Sequence, residues 1–359
     1  MSISAPDRRC LRQPAAIAAG AVLACALGLA LGLAAGPAAA QSPRMPTALQ
    51  PSQLAVIVND DDPDSVAVAA LYRDKRAIPA DNIVHVRIPG KPRKLDAARF
   101  AELKQQIDRQ LGPGIQAVLM AWSAPYAVEC QGITAAYTLG FDPALCSKPC
   151  GPGKPSPYFN APSRAPYTDH GLRLSMLLPA ADRALAAALI ARGMTAASER
   201  PAQTGAYYVI TPDQARNSRA PFFPRPGVLK GKGVAMHVRN SAALENARDV
   251  IVYQIGAATV GQLDTVHFAP GALADHLTSL GGDLLGSTQM SSLRWLEAGA
   301  TASYGSVSEP CNYWQKFPHP AVLLAHYVAG QSAIEAYWKS VAWPAQGVFV
   351  GEPLAAPFK

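Results

Sequence analysis

Several side chains have the types and spacing that chemistry requires. Asp275-His276, followed by Thr278 and Ser279, places an imidazole beside hydroxyls, the arrangement of a general base whose tautomer a carboxylate fixes. Asp275 is adjacent in sequence and points elsewhere, so the orienting acid would be Glu309 or Glu352. The alternative is that His276 packs or caps a turn and that Thr278 and Ser279 satisfy backbone groups. Cys311, two residues after Glu309, is a nucleophile if a nearby imidazole lowers its pKa; otherwise it is half of a disulfide. Asp60-Asp61-Asp62 has the oxygen donors of a calcium or magnesium site at Asp60 and Asp62. The same acids also suit an N-terminal cap on the helix that follows. His170-Gly171 has the composition of a catalytic His-Gly pair but follows no apolar strand.

The elements that would position these groups alternate. Leu54-Ala55-Val56-Ile57-Val58 reads as a buried strand, and Asp64 to Arg76 as a helix. Asn82 to Ile88 is a second strand, Asp96 to Leu111 a second helix, and Ile115 to Trp122 a third strand. This order predicts a mainly parallel sheet flanked by helices in three layers. Residues 131–248 read as a Pro/Gly-rich insertion, with Tyr158-Phe159-Asn160 in its loop, a helix at Ala180–Arg192, a strand at Ala206–Thr211 and a helix at Asn240–Ala247. The sheet resumes with strands at Asp249–Gly256, Asp264–Phe268 and Gly299–Gly305. A long helix over Pro320–Trp338 and a strand at Gly347–Val350 complete it. In such sheets the functional crevice lies beyond the carboxyl ends of the strands. That rule gathers Asp60, Asp62, Ser123, Tyr126, Asp275, His276, Thr278, Ser279, Glu309, Cys311 and Glu352 on one rim.

The N-terminus reads as a cleavable export signal over residues 1–40. Arg8, Arg9 and Arg12 precede an uncharged run from Ala15 to Ala35, Pro37 breaks it, and Ala38-Ala39-Ala40 offers the small residues a signal peptidase reads. Arg8-Arg9 leaves Sec and twin-arginine export both open. Residues 41–53 read as a polar linker and 54–359 as one α/β domain, so no stable membrane anchor is expected after cleavage. The net charge of +7 over 359 residues is mild, and no basic block interleaves with aromatics, which argues against nucleic acid as a partner. Four cysteines, Cys130, Cys146, Cys150 and Cys311, follow the leader, an even count that favours two disulfides in an oxidising compartment. The simplest pairing is Cys146–Cys150 with Cys130–Cys311. With one short Cys pair and no His at finger spacing, zinc is not expected.

Wider blocks carry a resemblance. Val58-Asn59-Asp60 with Pro63-Asp64-Ser65, then Pro270-Gly271-Ala272, Asp275-His276-Leu277-Thr278-Ser279 and Gly281-Gly282 form its first part. Gly299-Ala300-Thr301-Ala302-Ser303-Tyr304-Gly305 with Glu309-Pro310-Cys311 is its strongest block. Lys316-Phe317-Pro318, Glu335-Ala336-Tyr337 and Gly351-Glu352-Pro353-Leu354 continue it. With these blocks, spread over nearly the whole chain after the leader, the sequence resembles an exported bacterial family that occurs alongside exosortase, the proposed transpeptidase of PEP-CTERM sorting. The chain shows no such sorting tail, so it resembles a companion of the system and not its cargo. The element order and the terminal Gly-Glu-Pro-Leu give a looser resemblance to gingipain-like and caspase-like cysteine peptidases. Those place His-Gly after one central strand and Cys after the next. Here the matching places hold Trp122-Ser123-Ala124-Pro125-Tyr126 and Ala269-Pro270-Gly271, with no dyad. The resemblance implies a hydrolase-like or degenerate peptidase-like protein acting in envelope protein sorting or surface-polymer handling, with an envelope protein or polysaccharide as partner. The alternatives are a non-catalytic periplasmic or surface protein that binds peptide or glycan, and a purely structural envelope component.

Overall fold

The computed structural model describes residues 47–286 and 288–359. The expected leader, its cleavage site and residues 41–46 lie outside them. The strands are β1 (Leu54–Asn59), β2 (Ile83–Val86), β3 (Lys94–Leu95), β4 (Ala117–Met120), β5 (Ala127–Val128), β6 (Gln131–Gly132), β7 (Leu174–Leu177), β8 (Thr204–Ile210), β9 (Gly227–Leu229), β10 (Val234–Asn240), β11 (Val250–Gly256), β12 (Phe268–Leu277), β13 (Ala302–Ser306) and β14 (Gly347–Gly351). The helices are α1 (Pro63–Arg76), α2 (Ala97–Asp108), α3 (Ile133–Leu139), α4 (Ala144–Ser147), α5 (Pro166–His170), α6 (Arg183–Thr195), α7 (Leu293–Glu297), α8 (Pro320–Val328) and α9 (Ala333–Ser340).

Eleven strands form one sheet in the order β2-β1-β4-β7-β14-β13-β12-β11-β8-β10-β9, so the chain is an α/β protein with a large, mostly parallel sheet. Its central strands are buried along their length, as β1 is at every position, because helices cover both faces; this is why they read as unbroken apolar runs. Strands β2, β1, β4, β7 and β14 run one way. Strands β13, β12, β11, β8 and β10 run the other way. The two halves meet where β13 and β14 pair antiparallel, from Ala302 opposite Gly351 to Ser306 opposite Gly347. The carboxyl ends of the two half-sheets therefore open on opposite edges.

Residues 131–248 are not an insertion beside this sheet. They supply β7, which lies between β4 and β14, and β8, β9 and β10, which build the far edge. The expected tether is also folded where it is described. Ala48 and Leu49 are buried, and the Leu49 N–H donates to Glu335 Oε2 at 3.0 Å.

Three elements differ from their sequence reading, each for a local reason. Pro270-Gly271 looks like a strand stop, but β12 continues to Leu277 through an irregularity. Val250 faces Phe268 whereas Val252 faces Leu273, and a proline without an N–H is tolerated at such a bulge. The long helix over 320–338 is two helices, because Gly330 adopts φ 92° and Ser332 opens α9 with a Ser332/Glu335 capping box. The expected helix at 240–247 is a turn after β10, with Asn246 and Asp249 at positive φ.

Candidate functional site

The half-sheet directions divide the expected rim in two. Asp60, Asp62, Ser123 and Glu352 lie at the carboxyl edge of β1, β4 and β14. Thr278, Ser279, Glu309 and Cys311 follow β12 and β13 at the opposite edge. Asp275 and His276 lie within β12, as neighbours on opposite faces of the sheet.

His276 is buried, and both ring nitrogens are bonded. The Trp295 indole N–H donates to Nδ1 at 2.9 Å, and Nε2 lies 3.0 Å from Met290 O. An indole N–H can only donate and a carbonyl can only accept, so the proton sits on Nε2 and the ring is neutral. Burial lowers its pKa to about 4, against the opposing pull of the Met290 carbonyl. No lone pair remains to take a proton from a substrate. On the other face, Asp275 pairs with the Arg219 guanidinium and accepts from Gln254 Nε2 at 2.8 Å. Burial pushes its carboxyl up, opposed by Arg219 and Gln254. Arg219 also donates to Pro318 O and Ile255 O, which locks the pair in the core.

The other candidates are similarly engaged. Ser123 Oγ accepts the N–H groups of Ala180 (3.0 Å) and Ala181 (2.9 Å). The Tyr126 hydroxyl donates to Asp283. Thr278 Oγ1 donates to Gln289 at 2.8 Å, and the Ser279 carbonyl accepts the Ser306 hydroxyl at 2.9 Å. Glu309 Oε1 accepts the Cys311 N–H at 2.8 Å. Glu352, fully buried, accepts from Tyr72 (2.7 Å) and Arg76 (3.0 Å). Gly193 faces this carboxylate so closely that a Cβ there would stand 2.2 Å from Glu352 Oε2. Asp60, Asp61 and Asp62 face His85 (2.7 Å), Arg87 (2.9 Å) and Lys91 (2.7 Å). Asp62 also caps α1 through Asp64 N. Side-chain partners thus already engage the carboxylates at the expected calcium or magnesium position, with Lys91 as the cation on Asp62. His170 ends α5 with its ring edge against Tyr158.

The disulfides are Cys130–Cys146 and Cys150–Cys311, with Cα separations of 5.4 and 5.1 Å, which corrects the expected pairing. Cys146 lies on the short helix α4, whereas Cys150 lies in the turn that follows it, closed by Gly151 N donating to Lys148 O, and the two sulfurs meet different neighbours. Cys311 therefore carries no thiol.

One surface was not anticipated from the sequence. Phe159, Phe222, Tyr313, Trp314, His319 and Trp343 are all partly exposed. Phe222 lies 4.7 Å from Trp314 and 4.9 Å from His319, which also meets Trp314 at 5.3 Å and Phe159 at 6.4 Å. Tyr313, adjacent to Trp314, meets Trp343 at 5.5 Å. The loop bearing Phe159 is fixed at several points. Ser156 N donates to Ala342 O and Asn160 N to Lys339 O. Lys316 Nζ donates to Pro149 O at 2.6 Å and Lys339 Nζ to Ser163 O at 2.5 Å. Burial lowers both ammonium pKa values to about 8. The Cys150–Cys311 bridge ties this loop to the segment bearing Tyr313 and Trp314. The sequence signal was faint: aromatic residues placed in Pro-rich loops, far apart along the chain.

Compared with protein-family models, curated proteins and solved structures, the chain matches none. Among the described residues no helix is long and apolar enough to cross a membrane.

Proposed function

We propose that this chain is an exported protein that binds a peptide or glycan of the cell envelope without breaking it down. One observation carries the reading: the candidate thiol, imidazole and buried carboxylates are consumed by internal bonds. Cys311 is bridged, both nitrogens of His276 are occupied, and Asp275 and Glu352 are held by Arg219 and Arg76. Two disulfides and the leader-like N-terminus support export. On this reading the likeness to gingipain-like peptidases extends to the scaffold and not to the chemistry, and association with exosortase-dependent sorting concerns partners, not catalysis.

The test incubates the secreted protein with envelope peptides and glycans, following its thermal unfolding and the ligands' masses. The expected result is a raised unfolding temperature with at least one ligand, which is recovered intact. Turnover of any ligand by the purified protein would sink the proposal.

A further inference from the structure

Building on the reading of the chain as a binding protein, we infer that the aromatic strip formed by Phe159, Phe222, Tyr313, Trp314, His319 and Trp343 is the ligand site, and that its ligand is a neutral polysaccharide. The six residues come from four regions of the chain and touch ring to ring or stand adjacent in sequence. Large rings left partly in water by a fold with an ample core call for an explanation at the surface.

The strip is also rigid before any ligand arrives. A disulfide, two buried lysines and several backbone hydrogen bonds hold its loops, so little ordering remains to oppose association. Gly153 lets the loop approach closely, since a Cβ there would stand 2.7 Å from Trp343 Cβ.

The chemistry of the strip selects the ligand. Ring faces carry negative charge density and attract the weakly positive C–H faces of pyranose rings. Among the described residues no protein hydrogen bond engages the Trp314 or Trp343 indole N–H or the Tyr313 hydroxyl, so polar groups for sugar hydroxyls border the rings. Lys316, the cation in ring contact with Tyr313, has its ammonium turned to Pro149 O. It is not presented to an anionic chain. An apolar face edged by hydroxyl-bonding groups, whose ring-contacting lysine is turned away, fits a neutral sugar polymer better than an acidic one.

The experiment is native affinity electrophoresis through dextran, laminarin, hydroxyethylcellulose or galactomannan, with alginate and a decaproline peptide for comparison. Tryptophan fluorescence adds a positional readout. Trp122, Trp295 and Trp338 are fully buried, so acrylamide quenching reports on Trp314 and Trp343. We expect retardation by at least one neutral polysaccharide, not by alginate, with reduced quenching in the complex. Trp314→Ala and Trp343→Ala should each weaken binding about tenfold at an unchanged unfolding temperature, the scale of one aromatic contact; Trp314→Phe should keep most of the affinity. The wild-type quenching result stands even if an alanine variant does not fold.

Three results would overturn the inference: no retardation by any of the four neutral polymers; retardation unchanged in both alanine variants with quenching unaltered; or protection of the tryptophans by decaproline alone. The last two leave the binding-protein reading intact and move its site or its ligand. Cleavage of a polymer or peptide would instead remove that reading.

Discussion

At position 276 a histidine next to an aspartate looks like half of a catalytic pair, whereas the fold buries the ring with both nitrogens bonded. The flanking residues showed that an imidazole was present, but not that β12 would run through Pro270-Gly271 and carry it into the core. Because Trp295 and Met290 hold the neutral ring, its proton equilibrium becomes a stability term. The folded pKa is about 4, against an ordinary value of 6.5. Between those pH values the unfolded chain binds a proton that the folded chain refuses, so this stabilisation is complete above pH 6.5 and lost as pH falls towards 4. The loss for this fully buried ring is roughly 3 kcal/mol. Ring NMR should show His276 unprotonated at pH 5.5, and a midpoint near 6.5 would contradict its placement. His276→Ala should cost roughly 3 kcal/mol in chemical denaturation, from a cavity and an orphaned indole N–H. A folded variant of near-normal stability would mean that the ring is not part of the core.

At the level of elements, the sequence was most legible where a strand or helix obeys its own local signals. Leu54–Val58 is an unbroken apolar run. Asp62, Pro63 and the basic last turn of α1 mark both ends of that helix. Legibility failed where one backbone conformation outweighs pattern, at Gly330 between α8 and α9 and at the bulge in β12. It failed also for the cysteines, because spacing alone does not reveal that Cys146 and Cys150 face different partners. The Cys150–Cys311 bridge closes a sequence separation of 161 residues. Its removal in Cys150→Ser should destabilise the protein by about 2–5 kcal/mol, read from the urea midpoint. A shift equivalent to well under 1 kcal/mol would show that the lysine and backbone contacts secure the loop without it.

For the whole molecule, the decisive feature is a direction. Strand order and the antiparallel β13–β14 contact set two parallel half-sheets edge to edge, and the carboxyl ends open on opposite sides. Local pattern does not encode strand direction across a connection as long as residues 307–346, so residues expected on one rim belong to two. What remained hidden for the same reason is the aromatic strip, assembled from loops whose proximity only the complete sheet creates. The molecule that results buries Asp275, His276 and Glu352 with internal partners, bridges Cys311, and leaves the six rings of the strip partly exposed. The most direct measurement is a count of free thiols by mass on the unreduced, denatured protein, with each label assigned to its cysteine. Bridged Cys130, Cys146, Cys150 and Cys311 predict no label on any of these four. A label on Cys311 would contradict the bridge and restore a thiol nucleophile to the edge beyond β13.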